Sequence, residues 1–243
     1  MQSVLVTGAS SGIGAAIVRR MAGAGWTVHA MARRAERLEA LAAETGCSVH
    51  AADVRDTDAL AGLVPEIGAG ALVNNAGLGA GIDGLVDAPA AAVAQTIETN
   101  VTGALQMTRL ALPAMIAKGR GHVVNMGSVA GLYPINSAIY GASKGAVHLM
   151  SMNLRIELRG TGVRVTEINP GRVSTEFYDA SVTDPSRRAA LKETGIEELR
   201  PRDIAEAVHF ALTAPPNVNV SLIELQPLEQ SFGGVRFDPV ARR

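Results

Sequence analysis

The sequence predicts an α/β fold: one doubly wound parallel sheet of about seven strands with helices on both faces. Three observations predict it. Short apolar runs recur along most of the chain. Between them lie segments with helical spacing of apolar residues, long enough to cross from one parallel strand to the next. And 47% of the 243 residues are hydrophobic, which is ample for a buried core without disulfides. Aromatics are only 3%, so that core must be built from Ala, Val, Leu and Ile.

Strands are expected at 3–7, 27–31, 48–52, 71–74, 122–127, 164–169 and 221–225, and helices at 12–24, 35–45, 90–99, 102–117, 137–160 and 201–213. Right-handed crossovers place the C-terminal ends of these strands along one edge, where ligands bind in such sheets. The first strand, around Val4-Leu5-Val6, runs into Thr7-Gly8-Ala9-Ser10-Ser11-Gly12-Ile13-Gly14. Glycines there let the backbone turn sharply and approach a pyrophosphate, whose charge the helix N-terminus stabilises. A glycine cluster alone is also an ordinary tight turn. Its place between a strand and an amphipathic helix favours dinucleotide binding, that is, a Rossmann-type sheet, and no Lys-Ser or Lys-Thr follows to make a nucleoside triphosphate loop.

The second strand ends in Ala32-Arg33-Arg34, with no acid where a ribose 2′-hydroxyl would be bound. Arg33 offers a planar fork to a 2′-phosphate and Arg34 adds charge, so NADP(H) is expected over NAD(H). Asp53-Val54, after the third strand, is a candidate to hold the adenine amino group through the carboxylate; Asp53 is equally a candidate N-cap for the next helix, and the two roles are compatible. The fourth strand ends in Asn74-Asn75-Ala76-Gly77, where small residues permit close contact with a ribose and the first amide has an equally good structural role. Gly68-Ala69-Gly70 and Gly79-Ala80-Gly81 flank that strand as loop material.

Ser128 ends the fifth strand, and Tyr140 and Lys144 stand one turn apart on the next helix, on one face. A tyrosine is a poor base at its ordinary pKa of about 10; a nearby ammonium and an oxidised nicotinamide are expected to pull it down, by about 3–4 kcal/mol of differential stabilisation. Ser128 would hold the reacting oxygen beside it. After the sixth strand, residues 172–200 break the alternation with a polar stretch containing Thr183-Asp184-Pro185-Ser186, expected to be a substrate lid rather than an element of the fold. No linker or internal repeat divides residues 1–243, which are expected to form a single dinucleotide-binding and catalytic domain.

Net charge is −1, which gives no reason to expect nucleic acid or an anionic membrane as partner. Cys47 is alone and cannot form an internal disulfide, no secretory signal is legible, and no apolar run is long enough to span a bilayer, so a cytoplasmic protein is expected. His29, His50, His122, His148 and His209 lack metal-ligand spacing, and no metal is expected. His148 is expected to pack at a helix interface. Arg172, Arg187, Arg188 and Lys192 are outside candidates for pairing with an anionic substrate group.

Taken together, Thr7–Gly14, Asp53-Val54, Asn74–Gly77, Asn100, Ser128, Tyr140-Gly141-Ala142-Ser143-Lys144 and Pro170-Gly171 resemble the short-chain dehydrogenase/reductases, from the first strand to the last. The resemblance implies that Ser128 orients substrate, Tyr140 is the acid/base, and Lys144 lowers the tyrosine pKa and binds ribose hydroxyls. It implies that Asn100, which could otherwise be a helix N-cap, supports a water-linked proton relay, and that Pro170, Gly171, Val173 and Thr175 meet the nicotinamide carboxamide. It implies a homo-oligomer, dimer or tetramer, in which the helices at 102–117 and 137–160 pair.

Gly25-Trp26-Thr27-Val28, the run from Ala32 to Leu41 and the tail at 217–234, above all Leu225-Gln226-Pro227-Leu228-Glu229-Gln230-Ser231-Phe232, resemble more narrowly the NADP-dependent serine or 3-hydroxy acid dehydrogenase branch. This implies an oxidoreductase interconverting an alcohol and a carbonyl on a small polar substrate, a 3-hydroxy acid or semialdehyde. Tyr133–Ile139 and 177–199 depart from that branch, which leaves open a reductase of bulkier ketones or of acyl-carrier-protein 3-ketoacyl thioesters. A non-catalytic NADP(H)-sensing protein is the alternative of another class.

Overall fold

A computed structural model describes residues 2–82, 84–182, 184–230 and 237–239. Seven parallel strands form one sheet in the order β3-β2-β1-β4-β5-β6-β7. They are β1 (Ser3–Thr7), β2 (Thr27–Ala32), β3 (Ser48–Ala51), β4 (Ala71–Asn74), β5 (Gly121–Met126), β6 (Val163–Pro170) and β7 (Leu222–Leu225). The order reverses at β1, where β2 lies on one side and β4 on the other, with Val4 paired to Val28 and to Ala71. Adjacent crossovers therefore leave on opposite faces at that point and open a crevice at the strand ends.

Alternation along β1 shows the double winding. Val4 and Val6 belong to a core with α1 (Gly12–Gly23), α2 (Ala35–Thr45) and α10 (Pro201–Thr213), containing Ile17, Met21, Leu38, Ile204 and Val208. Leu5 points the other way, to Leu60 and Val64 of α3 (Thr57–Ile67) and Met107 and Met115 of α5 (Ala104–Ala117). Side chains alternate across a strand, so one apolar run feeds both layers. Each fully buried Leu, Ile or Met of this kind contributes about 1.5–3 kcal/mol.

The remaining helices are α4 (Ala90–Ile97), α6 (Val129–Leu132), α7 (Ala138–Glu157), α8 (Phe177–Ser181) and α9 (Pro185–Lys192). Three features differ from the sequence expectation. Helix α3 has no counterpart in it; the helix carries Gly62 and, in its last turn, Pro65, both of which blur helical patterning. Its cap is Asp56, whose side chain accepts the Ala59 N–H at 3.0 Å, and not Asp53. The stretch 172–200 holds two short helices instead of a loop alone. There Asp184 accepts the Arg187 N–H at 2.7 Å with Pro185 in the first turn, so Asp184-Pro185 is a helix start. Finally, a π-helical stretch, Glu98–Gly103, joins α4 to α5. Thr183 of the expected lid and Ser231 and Phe232 of the expected tail match lie outside the described residues. Among the described residues, no helix is long and apolar enough to cross a membrane.

Candidate active site

The ends of β1 and β4 and the start of α1 build a groove in which backbone lies against backbone. Gly8 has φ +64°, and a Cβ there would sit 2.8 Å from Ala76 Cα. A Cβ on Gly14 would fall 2.3 Å from the Gly8 carbonyl oxygen. Thr7 Oγ1 accepts the N–H groups of Asn75 and Ala76 at 3.0 and 2.9 Å, and the Asn75 amide donates to the Thr7 carbonyl at 2.9 Å. Asn75 thus laces the two strand ends together. Asn74 takes the structural role: its amide donates at 2.9 Å to Asn125 Oδ1 on β5 and at 2.9 Å to Thr108 Oγ1 on α5, tying sheet to helix.

The groove, about 330 Å³, is walled by Gly8, Ser10, Ser11, Gly12, Ile13, Arg33, Arg34, Asp53, Val54, Asn75, Ala76, Gly77 and Thr175. Gly14 is absent from its walls; its part is to let α1 pack on Gly8. Arg34 donates to Ser10 Oγ at 2.9 and 3.1 Å and to Ser11 Oγ at 2.7 Å. Arg33 Nη1 stands 4.0 Å from Asp53. The Asp53 carboxylate is gripped by the Arg55 guanidinium, at 2.7 Å for the shortest contact, which holds its pKa below the usual carboxylate range. Arg37 escaped the sequence reading, although it follows Arg34 by one turn: it pairs with Glu176 at 2.7 Å at the same end of the groove.

A second cavity, about 440 Å³, is walled by Ser128, Tyr140, Lys144, Pro170, Gly171 and Val173 and shares Ile13, Asn75, Gly77 and Thr175 with the first. The two therefore meet. β5 delivers Ser128, whose N–H donates to Asn169 Oδ1 at 2.8 Å and whose Oγ accepts the Ala130 N–H at 3.1 Å while bonding the Tyr140 hydroxyl. Helix α7, capped by Ser137, carries Tyr140 and Lys144 side by side, with Nζ 5.8 Å from the centre of the phenol ring.

Within the protein itself, burial governs the electrostatics of this pair. Tyr140 is pushed up to about 12 by burial, with the Ser128 hydrogen bond pulling the other way and Tyr178 adding to the rise. Lys144 is pulled down to about 8, again by burial, with Glu167 opposing. The ammonium donates to the Met126 carbonyl at 2.8 Å. In the protein alone, loss of water therefore governs both groups, and the phenol is not lowered.

Asn100 is buried behind this cavity and does not line it. It accepts the Leu78 N–H at 2.9 Å and donates to the Leu78 carbonyl at 2.8 Å and to Ser143 Oγ at 3.0 Å. It sits inside the π-helical stretch, so the N-cap alternative falls away. A Cβ on Gly77 would lie 3.4 Å from Asn100 Oδ1 and 3.6 Å from Lys144 Nζ, so the two polar groups flank one glycine.

Three further residues had no sequence signal of their own. Asn169 positions Ser128. Phe177 meets Tyr140 edge-on, ring centres 5.3 Å apart. Glu167, fully buried, bonds His148 Nδ1 at 2.8 Å, so His148 pairs with a strand carboxylate rather than simply filling a helix interface. The cations of 172–200 are engaged locally: Lys192 with Asp179 at 2.6 Å, Arg188 with Asp179 at 3.9 Å, and Arg172 with Glu198 at 2.6 Å while stacked over Tyr178.

Against known proteins, the family model for short chain dehydrogenase matches residues 2–186. The chain is 41% identical over 241 residues to the NADP-dependent 3-hydroxy acid dehydrogenase YdfG of Salmonella typhi, covering 96% of this chain and 97% of that protein. It is 40% identical over 245 residues to serine 3-dehydrogenase of Agrobacterium fabrum, covering 96% of each. Among solved structures, the closed form of serine dehydrogenase complexed with NADP+ superposes with a TM-score of 0.90 at 39% identity, covering 100% of both chains.

Proposed function

This chain belongs to the short-chain dehydrogenase family, and on that premise we propose that it is an NADP(H)-dependent oxidoreductase interconverting an alcohol and a carbonyl on a small polar substrate, a 3-hydroxy acid or its semialdehyde. The observation that carries the chemistry is the convergence of Ser128, Tyr140 and Lys144 in one cavity that opens into the glycine-walled groove.

The groove fits a 2′-phosphorylated dinucleotide. Its floor is bare backbone at Gly8 and Gly12, and its far end presents Arg33, Arg34, Ser10 and Ser11. We assign Gly8, Ser10, Ser11, Gly12 and Ile13 to the pyrophosphate, Arg33 and Arg34 to the 2′-phosphate, and Asp53 and Val54 to adenine. Asn75, Ala76 and Gly77 fall to ribose, and Pro170, Gly171, Val173 and Thr175 to the carboxamide. Gly14 contributes by packing. When bound, the nicotinamide gives or takes the hydride.

The protein supplies the proton and the alignment. Ser128 Oγ holds the substrate oxygen against the Tyr140 hydroxyl. For carbonyl reduction the phenol must arrive protonated, and its raised pKa, about 12, keeps it so. The hydroxyl then gives its proton to the oxygen as negative charge develops there. For alcohol oxidation the phenol must first lose that proton, and Lys144 is the cation beside its ring. Asn100 holds Leu78 and Ser143 behind Lys144 and is assigned to the relay that returns the proton.

We assign residues 1–243 to one domain, with 172–200 as a lid over the substrate cavity. Leu105 and Ile116 on α5 and Leu149, Met152 and Ile156 on α7 are exposed apolar side chains, which supports pairing of these helices in a homo-oligomer. The uncombined Cys47 fits a cytoplasmic protein.

One observation favours a second substrate class. The cavity walls include Leu78, Ile82, Val129, Ile135, Leu191 and Phe177, and Arg172 on the same wall is already paired with Glu198. That lining suits a bulkier ketone. NADPH consumption across 3-oxo acids, semialdehydes and bulky ketones separates the two, and faster turnover of the bulky set removes the 3-hydroxy acid assignment. Tyr140→Phe should lose about 10²–10⁴-fold in kcat while still binding NADPH. Near-full turnover by that variant would refute the mechanism.

A further inference from the structure

Glu176 lies in the backbone run that walls the junction of the two cavities, between Thr175 and Phe177. Thr175 Cγ2 would lie 3.3 Å from a Cβ on Gly12, and the Phe177 ring rests on Tyr140. From that position the Glu176 side chain turns back to the nucleotide end. Its carboxylate stands 2.7 Å from Arg37 Nη1 and 3.6 Å from Arg34 Nη1. Arg34 in turn spans Ser10 and Ser11 on the glycine turn. Arg34, Ser10, Ser11 and Glu176 thus line one end of the groove, and Arg34 stands between the two serine hydroxyls and a carboxylate that Arg37 also holds. Arg37, and secondarily Arg34, hold the Glu176 carboxyl below its usual range.

We propose that Glu176 is an internal competitor for the 2′-phosphate of the nucleotide, occupying Arg34 and Arg37 until that phosphate displaces it. This rests on the NADP(H) reading above. A phosphate bearing nearly two negative charges and a carboxylate cannot both use Arg34 at close range without repulsion, so the carboxylate must withdraw or weaken phosphate binding. An ordinary surface ion pair would sit at the rim of the groove and leave nucleotide affinity alone. This one shares its arginine with the two serines of the glycine turn. Glu176 is therefore a determinant of nucleotide affinity that works against the arginines beside it, and its backbone run links that exchange to the ring packed on Tyr140.

The test uses the whole protein and fragments without nicotinamide. Wild type and Glu176→Gln are titrated calorimetrically with 2′,5′-ADP and with 5′-AMP, at low and at high salt. The side chain is 54% exposed, so the amide disturbs no packing. The expected result is that Glu176→Gln binds 2′,5′-ADP about three- to tenfold more tightly, with 5′-AMP unchanged and the gain shrinking in salt. Arg37→Met should instead weaken 2′,5′-ADP selectively. If Glu176→Gln binds 2′,5′-ADP with unchanged or lower affinity, or tightens both fragments equally, the competitor role is overturned while the NADP(H) reading stands. If wild type binds the two fragments equally well, the NADP(H) reading itself fails and the competitor role with it.

Discussion

Lys144 is held in the protein at a cost in stability, and replacing it by methionine exposes that cost. The side chain is 7% exposed, and burial lowers its pKa from 10.5 to about 8. That drop corresponds to about 3 kcal/mol of preference for the neutral amine. The sign follows from proton counting. Between pH 8 and 10.5 the unfolded chain binds this proton and the folded chain does not, so wild-type stability rises with pH across that window. Below pH 8 the folded protein carries the full penalty.

Lys144→Met removes the titration and keeps most of the apolar stem. It also deletes the hydrogen bond to the Met126 carbonyl, which costs about 1–3 kcal/mol, the most below pH 8, because an ammonium donates more strongly than the neutral amine that replaces it at higher pH. At pH 7 the two effects nearly cancel or leave the variant more stable by up to about 2 kcal/mol. By pH 10.5 only the lost hydrogen bond remains, and the variant is the less stable protein. Urea denaturation of both proteins at pH 7 and pH 10.5 measures this. The difference between them should move by about 3 kcal/mol, or roughly 6–12 °C in Tm for a chain of this size. A difference that stays flat with pH would show that Lys144 is not desolvated as the structure indicates.

Other perturbations test other parts of the molecule. His122 is buried with its pKa lowered to about 3, so the stability present above pH 6.5 is lost as pH falls toward 3; His122→Gln should spare about 3 kcal/mol at pH 4, seen as a higher acid-unfolding resistance. Gly14→Ala places a methyl 2.3 Å from the Gly8 carbonyl oxygen, and thermal melting should show a loss of about 2–4 kcal/mol together with loss of NADPH binding. Asn169→Leu leaves the Ser128 N–H without its 2.8 Å acceptor and should lower kcat about 10–100-fold with NADPH affinity retained, measured by steady-state kinetics beside a nucleotide titration.

What was legible in the residues and what was not divides along a physical line. The glycine turn was legible because backbone close approach excludes a Cβ, and that exclusion is written directly as Gly8 and Gly14. Tyr140 and Lys144 were legible as a pair because one helical turn puts them on one face, whatever the rest of the fold does. The inner strands were visible as apolar runs because both their faces are covered, while the edge strands β3 and β7 are exposed or half-buried and were read from their place in the alternation. Helix α3 and the two short helices in 172–200 were not, since Gly62, Pro65 and a polar surface weaken a periodic signal that packing and caps restore.

Only the tertiary structure decided the charges. The phenol was expected to be acidified by an ammonium and an oxidised nicotinamide together; in the protein alone, burial dominates both Tyr140 and Lys144. Nothing in the order of residues says how much water a side chain keeps. Nor does it say that Asp53 will be held by Arg55 rather than cap a helix, that Asn100 will lie behind a cavity wall, or that Glu176 will reach the arginines from across the groove. Residue type and local spacing determine which groups this protein possesses and which strand or helix carries them. Desolvation and through-space pairing, set by distant segments meeting at the sheet edge, determine their ionisation and their partners.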